Sequence, residues 1–260
     1  MTTGSFAGST RVPALGRRAA QEVAQELAGA FAATRTGYLH VSGDPGGRLR
    51  VVRGRVLAIT TVGAPALSDL LARPGRALPG DAERRALAVM AALDASFAIA
   101  SGWIDGSYWS TEIDLDPAGR DSVRPREFAG VEADQLIAET ERRLRALANS
   151  RISPHRNRLA RTEYGDSMLR DCPAGPRQEI LAQVDGRHRC RDLAFVLGHG
   201  LYPVTVEVSR LLAEHALVVP SGRTAAAAPK APLPRRRRDA SGINELYPPP
   251  AEERSDNDPQ

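Results

Sequence analysis

Cysteine and aromatic residues are scarce in this chain of 260 residues. The first shortage argues against a fold held by disulfides, and the second against a core built on aromatic side chains. The only cysteines are Cys172 and Cys190, and no CxxC pair occurs. A disulfide framework is therefore not expected, and a reducing cytoplasm fits best. Aromatic residues make up 5% of the chain, whereas hydrophobic residues make up 42%. The cores should therefore be aliphatic, built on Leu, Val and Ala.

Long apolar runs are missing as well. The most apolar stretch, residues 86–104, contains Asp94, Ser96 and Ser101, which predicts a buried helix rather than a membrane span. The first 18 residues contain no continuous apolar segment, so no signal peptide is expected. The sequence therefore predicts no membrane partner and a cytoplasmic location.

Lysine is nearly absent, because Lys230 is the only one in the chain. The formal net charge of +4 favours a nucleic-acid partner when it is taken alone. All other basic residues are Arg, and Ala, Gly and Pro are abundant. A coding bias towards G and C produces this composition without any partner, so the net charge is discounted as evidence.

The sequence motifs of common enzymes do not occur. The glycines of residues 43–47 are followed by no Lys-Ser or Lys-Thr, which argues against a phosphate loop, and neither GxSxG nor HExxH is present. Cys172, His188 and Cys190 have side chains that suit zinc, but the usual ligand spacing is missing and no fourth ligand is evident. We expect no enzyme activity, no metal and no cofactor, with a metal-dependent enzyme as the least favoured alternative.

Residues 18–116 have the pattern of an α+β domain. Helices are indicated by apolar residues at helical spacing, and strands by short alternating runs between Gly-rich turns. Asp105-Gly106 is expected to form a hairpin turn within the last strand region. The predicted elements are, in order, a helix over 17–33, strands over 38–41, 49–52 and 56–61, helices over 65–72 and 81–100, and strand over 103–115. The expected fold is an antiparallel meander with flanking helices.

Short motifs follow one another in this region in a defined order. They are Thr36-Gly37-Tyr38-Leu39, then Arg53-Gly54-Arg55-Val56, then Ala66-Leu67 with Leu70-Leu71, and finally Gly106-Ser107-Tyr108. In this order, over about residues 20–113, they resemble the PatA-like N-terminal domain of bacterial regulatory proteins. The helix over 81–100 is an insertion relative to that family, and Tyr108 stands where Phe is usual. The resemblance implies a small α+β interaction module of signalling proteins without a known catalytic site.

Residues 132–220 are predicted to form a second, mainly helical module. It begins with a helix over 132–149, whose solvent side should carry the i,i+4 ion pairs Glu139–Arg143 and Glu141–Arg145. The ranges outside the two modules are predicted to be a flexible arm (1–17), a linker (117–131) and a disordered tail rich in Pro, Ala and charge (221–260).

Three short helices are predicted within residues 176–215, followed by a strand at 217–219. Pro203 suits the first position of the third helix, because its fixed φ is helical and its missing N–H has no partner there. His215 falls on the inward face of that helix and is expected to be a core histidine. Three short helices followed by a strand are the outline of a winged helix-turn-helix.

The residues on the outward face of the third helix indicate whether its partner is DNA or protein. It holds Val206, Ser209, Arg210 and Ala213, flanked by Glu207 and Glu214. Only Arg210 could make a strong contact with a base or phosphate, and the two glutamates oppose a polyanion. The alternative is that Val206 and Ala213 pack against protein, for instance in a homodimer.

A second candidate for DNA contact is the basic run of residues 151–161, where His155 accompanies four arginines: Arg151, Arg156, Arg158 and Arg161. These side chains could follow phosphates, or they could belong to a solvated linker. The sequence as a whole predicts a non-enzymatic cytoplasmic regulatory protein, linked to transcription, with a protein partner and DNA as a second candidate partner. The alternative is a purely protein-binding adaptor of a signalling assembly that makes no DNA contact.

Overall fold

The structure is a computed structural model that describes residues 18–73, 79–111, 129–150 and 152–220. The predicted arm (1–17) and tail (221–260), and most of the predicted linker (117–131), lie outside these residues. The described elements are α1 (Arg18–Ala32), β1 (Gly37–Asp44), β2 (Gly47–Val52), β3 (Arg55–Thr61), α2 (Leu67–Leu71), α3 (Asp81–Ala100), β4 (Trp103–Ser110), α4 (Ala133–Ala146), β5 (Ala160–Arg161), α5 (Glu163–Asp171), α6 (Pro176–Gln183), α7 (Cys190–Leu197), α8 (Leu201–Ala213) and β6 (Leu217–Val218).

Strands β1 to β4 form an antiparallel sheet in the order β3-β2-β1-β4. Leu39 of β1 pairs with Leu49 of β2 on one side and with Trp109 of β4 on the other. Because side chains alternate along a strand, these three residues lie on the same face of the sheet. The α+β class and the antiparallel meander with flanking helices are confirmed.

The first core lies between this face and helices α1 to α4, with Leu67 and Leu70 contributed by α2. Helix α1 contributes Val23 and Leu27, which repeat at the spacing predicted from its sequence. Helices α3 and α4 add a row of small and branched side chains, among them Ala91, Ala95 and Leu136. The scarcity of aromatic residues thus leads to an aliphatic core, as expected.

Helix α3 also belongs to a second core. Its last turn contributes Phe97, Ala98 and Ala100 to a cluster built mainly by helices α6 to α8, including the fully buried Leu181 and Leu193. All described residues fall within one compact unit. A boundary between two modules at residues 117–131 therefore stays a prediction, while α4, which follows that range, packs against α1 and α3.

The prediction of a hairpin turn at Asp105-Gly106 is wrong. Both residues lie within β4, which pairs with β1 from Tyr38–Ser110 to Asp44–Trp103. The register shifts between Ser42 and Gly43, and Asp105 is the extra residue of this bulge. A bulge absorbs the Asp-Gly pair without reversing the chain.

The sequence interpretation missed α5. Its start is set by Thr162, whose side-chain oxygen accepts a hydrogen bond from the N–H of Gly165, and Glu163 and Asp166 lie in its first turn. A Thr cap followed by acidic residues is a recognised helix start. The cap is visible in the sequence, but the basic run of residues 151–161 that precedes it has the composition of a linker.

Helices α6, α7 and α8 follow in the predicted order, and β6 follows α8. The two residues of β6 pair with β5, which precedes α5. A winged helix has a strand hairpin after its third helix, whereas the strand found at the predicted place, β6, has only two residues and a partner that lies far earlier in the chain. The winged-helix topology therefore stays a prediction.

None of the helices in the described ranges has both the length and the apolar character that a membrane span requires.

Candidate docking surface on helix α8

Glycines set the position of helix α8. Gly198 adopts the left-handed conformation that ends α7, and Gly200 is the residue before the first turn of α8. The helix begins at Leu201, two residues before the predicted start at Pro203. Proline is tolerated at this third position because the first-turn N–H groups of a helix have no partner within the helix.

Asp94 of α3 caps the N-terminus of α8. Its carboxylate lies against Gly200 at the first turn of the helix, where the backbone N–H groups of Leu201 and Tyr202 act to lower its pKa. A side chain at Gly200 would collide with this carboxylate, which explains the glycine. An anion at this position satisfies free N–H groups and compensates the helix dipole.

The same carboxylate forms a buried ion pair with Arg143 of α4. Nη1 of Arg143 donates to Oδ1 of Asp94 at 2.5 Å, and Nε donates to Glu139 at 2.8 Å. Burial raises the pKa of Asp94 to about 6, against the lowering effect of Arg143 and of the α8 amides. Hydrogen bonds from Arg142 and then Arg143 lower the pKa of Glu139 to about 2.

The ion pair Glu139–Arg143 is therefore formed as predicted, but its predicted place on the solvent side is wrong for Arg143. Arg143 is only 9% exposed, because its guanidinium reaches inward to Asp94. It also lies over the ring of Tyr202 at 4.7 Å, and this ring meets Phe97 edge-on. The first turn of α8 is thus held by α3 and α4 together.

The solvent side of α8 is electrically balanced. Arg177 of α6 donates to Glu207 at 2.8 Å and makes two bonds of 2.9 Å to Glu214. Arg210 is exposed, and its guanidinium donates to Glu207 at 3.1 Å. The two glutamates that oppose a polyanion in the sequence interpretation are therefore neutralised within the chain.

The two residues predicted to contact protein differ in exposure. Ala213, the last residue of α8, is exposed, whereas Val206 is half-buried and packs against the second core. The prediction that His215 is a core histidine is wrong. His215 is exposed with φ +60°, because α8 ends at Ala213 and His215 takes the left-handed position after the helix.

The basic run is divided by the fold. Arg156 and Arg158 are exposed, while Arg151 lies outside the described residues. Arg161 donates to Asp166 at 2.6 Å, to the carbonyl of Leu181 at 2.7 Å and also to the carbonyl of Val184. Its guanidinium is thus engaged by Asp166 and by carbonyl groups at the end of α6.

His155 lies inside the protein. Its Nε2 is 2.9 Å from the carbonyl oxygen of Ala98 and 3.1 Å from the hydroxyl of Ser101. Burial lowers the pKa of His155 to about 4, so the ring is neutral at physiological pH. A neutral, buried imidazole cannot contribute charge to a phosphate-binding surface.

The three residues weighed as zinc ligands are not brought together. Cys190 is fully buried, and burial raises the pKa of its thiol to about 12. His188 instead contacts Asp185, with Nδ1 at 2.9 Å from the carboxylate. Across the parts of the chain that the structure describes, no group of three potential ligands converges on one point.

Sequence reasoning did not find Asp94, Arg143 or Arg177 as organising residues of α8. Asp94 and Arg143 are 49 positions apart, so no local periodicity links them. The available signal was a carboxylate in the most apolar stretch of the chain, which requires a partner when buried.

Comparison of the chain with protein families, with curated proteins and with solved structures gave no significant match in any of the three.

Proposed function

We propose that this protein is a non-enzymatic, cytoplasmic regulatory protein that acts through protein–protein contacts, with the solvent side of α8 as its docking surface. The cap formed by Asp94 is the observation that carries this proposal. A DNA-reading helix places its N-terminal residues in the major groove. In α8 the first residue, Leu201, is fully buried, and the carboxylate of Asp94 occupies the helix N-terminus. The flank at Arg210 and Ala213 is exposed and is open to a partner, with Val206 half-buried beside it.

The charge balance of this flank also favours protein over nucleic acid. Arg177 and Arg210 are offset by Glu207 and Glu214, so the surface has no net attraction for a polyanion. Protein interfaces, by contrast, combine apolar contacts with paired arginine. The resemblance of residues 20–113 to the PatA-like domain supports a regulatory role through protein contacts, because that family implies an interaction module of signalling proteins.

A recovery experiment from the native cytosol tests the docking surface. Ala213→Glu places a charge on it, and Ala146→Glu is the matched control, because Ala146 is also exposed and also ends a helix. We expect wild type and Ala146→Glu to retain the partner and Ala213→Glu to lose it, with or without nuclease. Equal recovery by all three proteins would contradict the proposal, and loss of the partner on nuclease treatment would indicate a nucleic-acid bridge.

If the partner is a second copy of the chain, the purified protein itself reports it. Light scattering should then give a dimer for wild type and for Ala146→Glu, and a monomer for Ala213→Glu. A dimer that persists in Ala213→Glu would place the homodimer contact elsewhere on the molecule.

DNA remains a second candidate partner, supported by the exposure of Arg156 and Arg158. If both contact phosphates, replacing both by Ala should lower the slope of log affinity against log salt by about 2. The matched control is Arg84→Ala with Arg85→Ala, an exposed pair at the start of α3. A gel-shift series on random duplex measures the slope, and no binding at low salt would leave the adaptor function without DNA contact.

A further inference from the structure

A cavity lies beneath α1, between this helix, the inner face of the sheet and helices α3 and α4. It encloses roughly 50 Å³ and is partly open to solvent. Its walls contain no ionisable side chain. Apart from the hydroxyls of Ser96 and Thr140, the lining side chains are aliphatic. A charged ligand would lose its hydration without compensation here, so only an uncharged molecule fits.

Short side chains create this cavity. Ala20 and Ala24 face it from α1, and Ala100 faces it from α3. A larger residue at any of these positions would occupy the space. An apolar group placed there would gain dispersion contacts with the surrounding aliphatic side chains without displacing them.

The two hydroxyls have a fixed hydrogen-bond direction. Thr140 Oγ1 donates to the carbonyl of Leu136 at 2.7 Å, which uses its only hydrogen. Ser96 Oγ lies 2.8 Å from Thr140 Oγ1 and must therefore be the donor of that pair. Within the described residues Ser96 Oγ has no further partner, so its lone pairs are left to accept. A ligand that reaches Ser96 must bring a donor.

We propose that this cavity is a binding site for a small uncharged alcohol, whose hydrocarbon part lies beneath α1 and whose hydroxyl donates to Ser96. The volume suits a chain of about three to five carbons, since one water needs roughly 10–15 Å³ of such space. This inference goes beyond the proposed function and does not depend on it, because neither Ser96 nor α1 belongs to the α8 surface.

The probe is 1-butanol, titrated into the full chain and followed through backbone amide resonances. We expect saturable shifts at Ala24, Ser96 and Thr140 with a dissociation constant in the millimolar range. Methyl propyl ether has the same number of heavy atoms but no donor, and it should bind at least five-fold more weakly. Equal binding of alcohol and ether, or shifts that never saturate, would overturn the proposal.

Two variants test the position of the ligand. Ala24→Leu fills the cavity and should abolish saturable binding, whereas Ala28→Leu, on the exposed side of the same helix, should leave it unchanged. Ser96→Ala should reduce the affinity for 1-butanol to that for the ether. Unchanged binding in Ala24→Leu or in Ser96→Ala would overturn the proposal, and the comparison of alcohol with ether in wild type does so without any variant.

Discussion

Asp94 is the residue at which three helices meet. It lies on α3, pairs with Arg143 of α4 and caps α8, and its side chain is almost completely buried. Its isolation from water opposes ionisation, while its partners favour it. The balance between burial and pairing can be measured, because it decides how stability responds to acid.

The titration of Asp94 should give the stability of the chain a slope in mildly acidic solution. Its pKa is about 6 in the folded chain against an ordinary value of 3.8, so between these pH values the folded state binds more protons than the unfolded state. A rise of pH through this window therefore lowers the free energy of unfolding, by roughly 2–3 kcal/mol in all.

Urea unfolding of wild type and Asp94→Asn tests this slope. The quantity to compare is the free energy of unfolding of wild type minus that of the variant. We expect this difference to fall by roughly 2–3 kcal/mol between pH 4 and pH 6.5 and to be constant at higher pH. A relative stability that grows with pH in this window would show that Arg143 and the α8 amides outweigh burial.

Arg161 gives a second prediction at this scale, because its contacts are structural. Arg161→Ala removes the donor shared by the carbonyls of Leu181 and Val184 and should lower the free energy of unfolding by about 1–3 kcal/mol. Arg158→Ala, at an exposed position, should change it by less than about 0.5 kcal/mol. Equal effects of the two variants in urea unfolding would mean that Arg161 is as free to contact phosphate as Arg158.

At the scale of the element, local periodicity was sufficient for most of the fold. Helices α1, α3 and α4 and strands β1 to β3 were predicted close to their observed bounds, because one face of each packs on a core. The predictions that are wrong concern residues whose conformation depends on contacts with distant parts of the chain. Asp105-Gly106 has the composition of a turn, yet pairing with β1 holds it in a strand, and His215 has helical spacing, yet the helix has already ended.

The candidate site was predicted less well than the fold. The exposed position of Ala213 follows from the helical spacing of α8 alone. The cap by Asp94 and the neutralisation of Glu207 by Arg177 join different helices, so they depend on tertiary contacts that spacing along one chain segment does not encode.

Replacement by alanine should have opposite effects on stability at two helical glycines. Gly165 of α5 packs directly on the backbone carbonyl of Ala216, and an added methyl group would collide with it, whereas Gly29 of α1 has open space around it. Gly165→Ala should therefore lower the free energy of unfolding by about 1–3 kcal/mol. Gly29→Ala should raise it by about 0.5–1 kcal/mol, because alanine restricts the unfolded chain and favours helix. Thermal unfolding compares the two, and a stabilising Gly165→Ala would mean that α5 is free to move off Ala216.

At the scale of the whole molecule, the sharing of α3 between two cores should make unfolding cooperative. Trp103 and Trp109 are the only tryptophans, and both lie on β4, so their fluorescence reports the sheet. Leu193→Ala, in the second core, should lower stability by about 2–5 kcal/mol. We expect this loss to shift the fluorescence midpoint as much as the helical circular dichroism midpoint.

The control is Leu39→Ala, in the first core, which should move both signals in the same way. A fluorescence midpoint that stays unchanged in Leu193→Ala, together with a separate transition in circular dichroism, would instead show two independently folding modules, as the predicted boundary at residues 117–131 requires.

Helices α3 and α4 meet at two neighbouring polar pairs, Ser96 with Thr140 and Asp94 with Arg143. Sliding of one helix along the other would disturb both pairs together. An alcohol held at Ser96 and a protein held on α8 would therefore each sense the same helix pair. Linkage is reciprocal, so whatever factor the alcohol applies to the affinity for the protein, the protein must apply to the affinity for the alcohol.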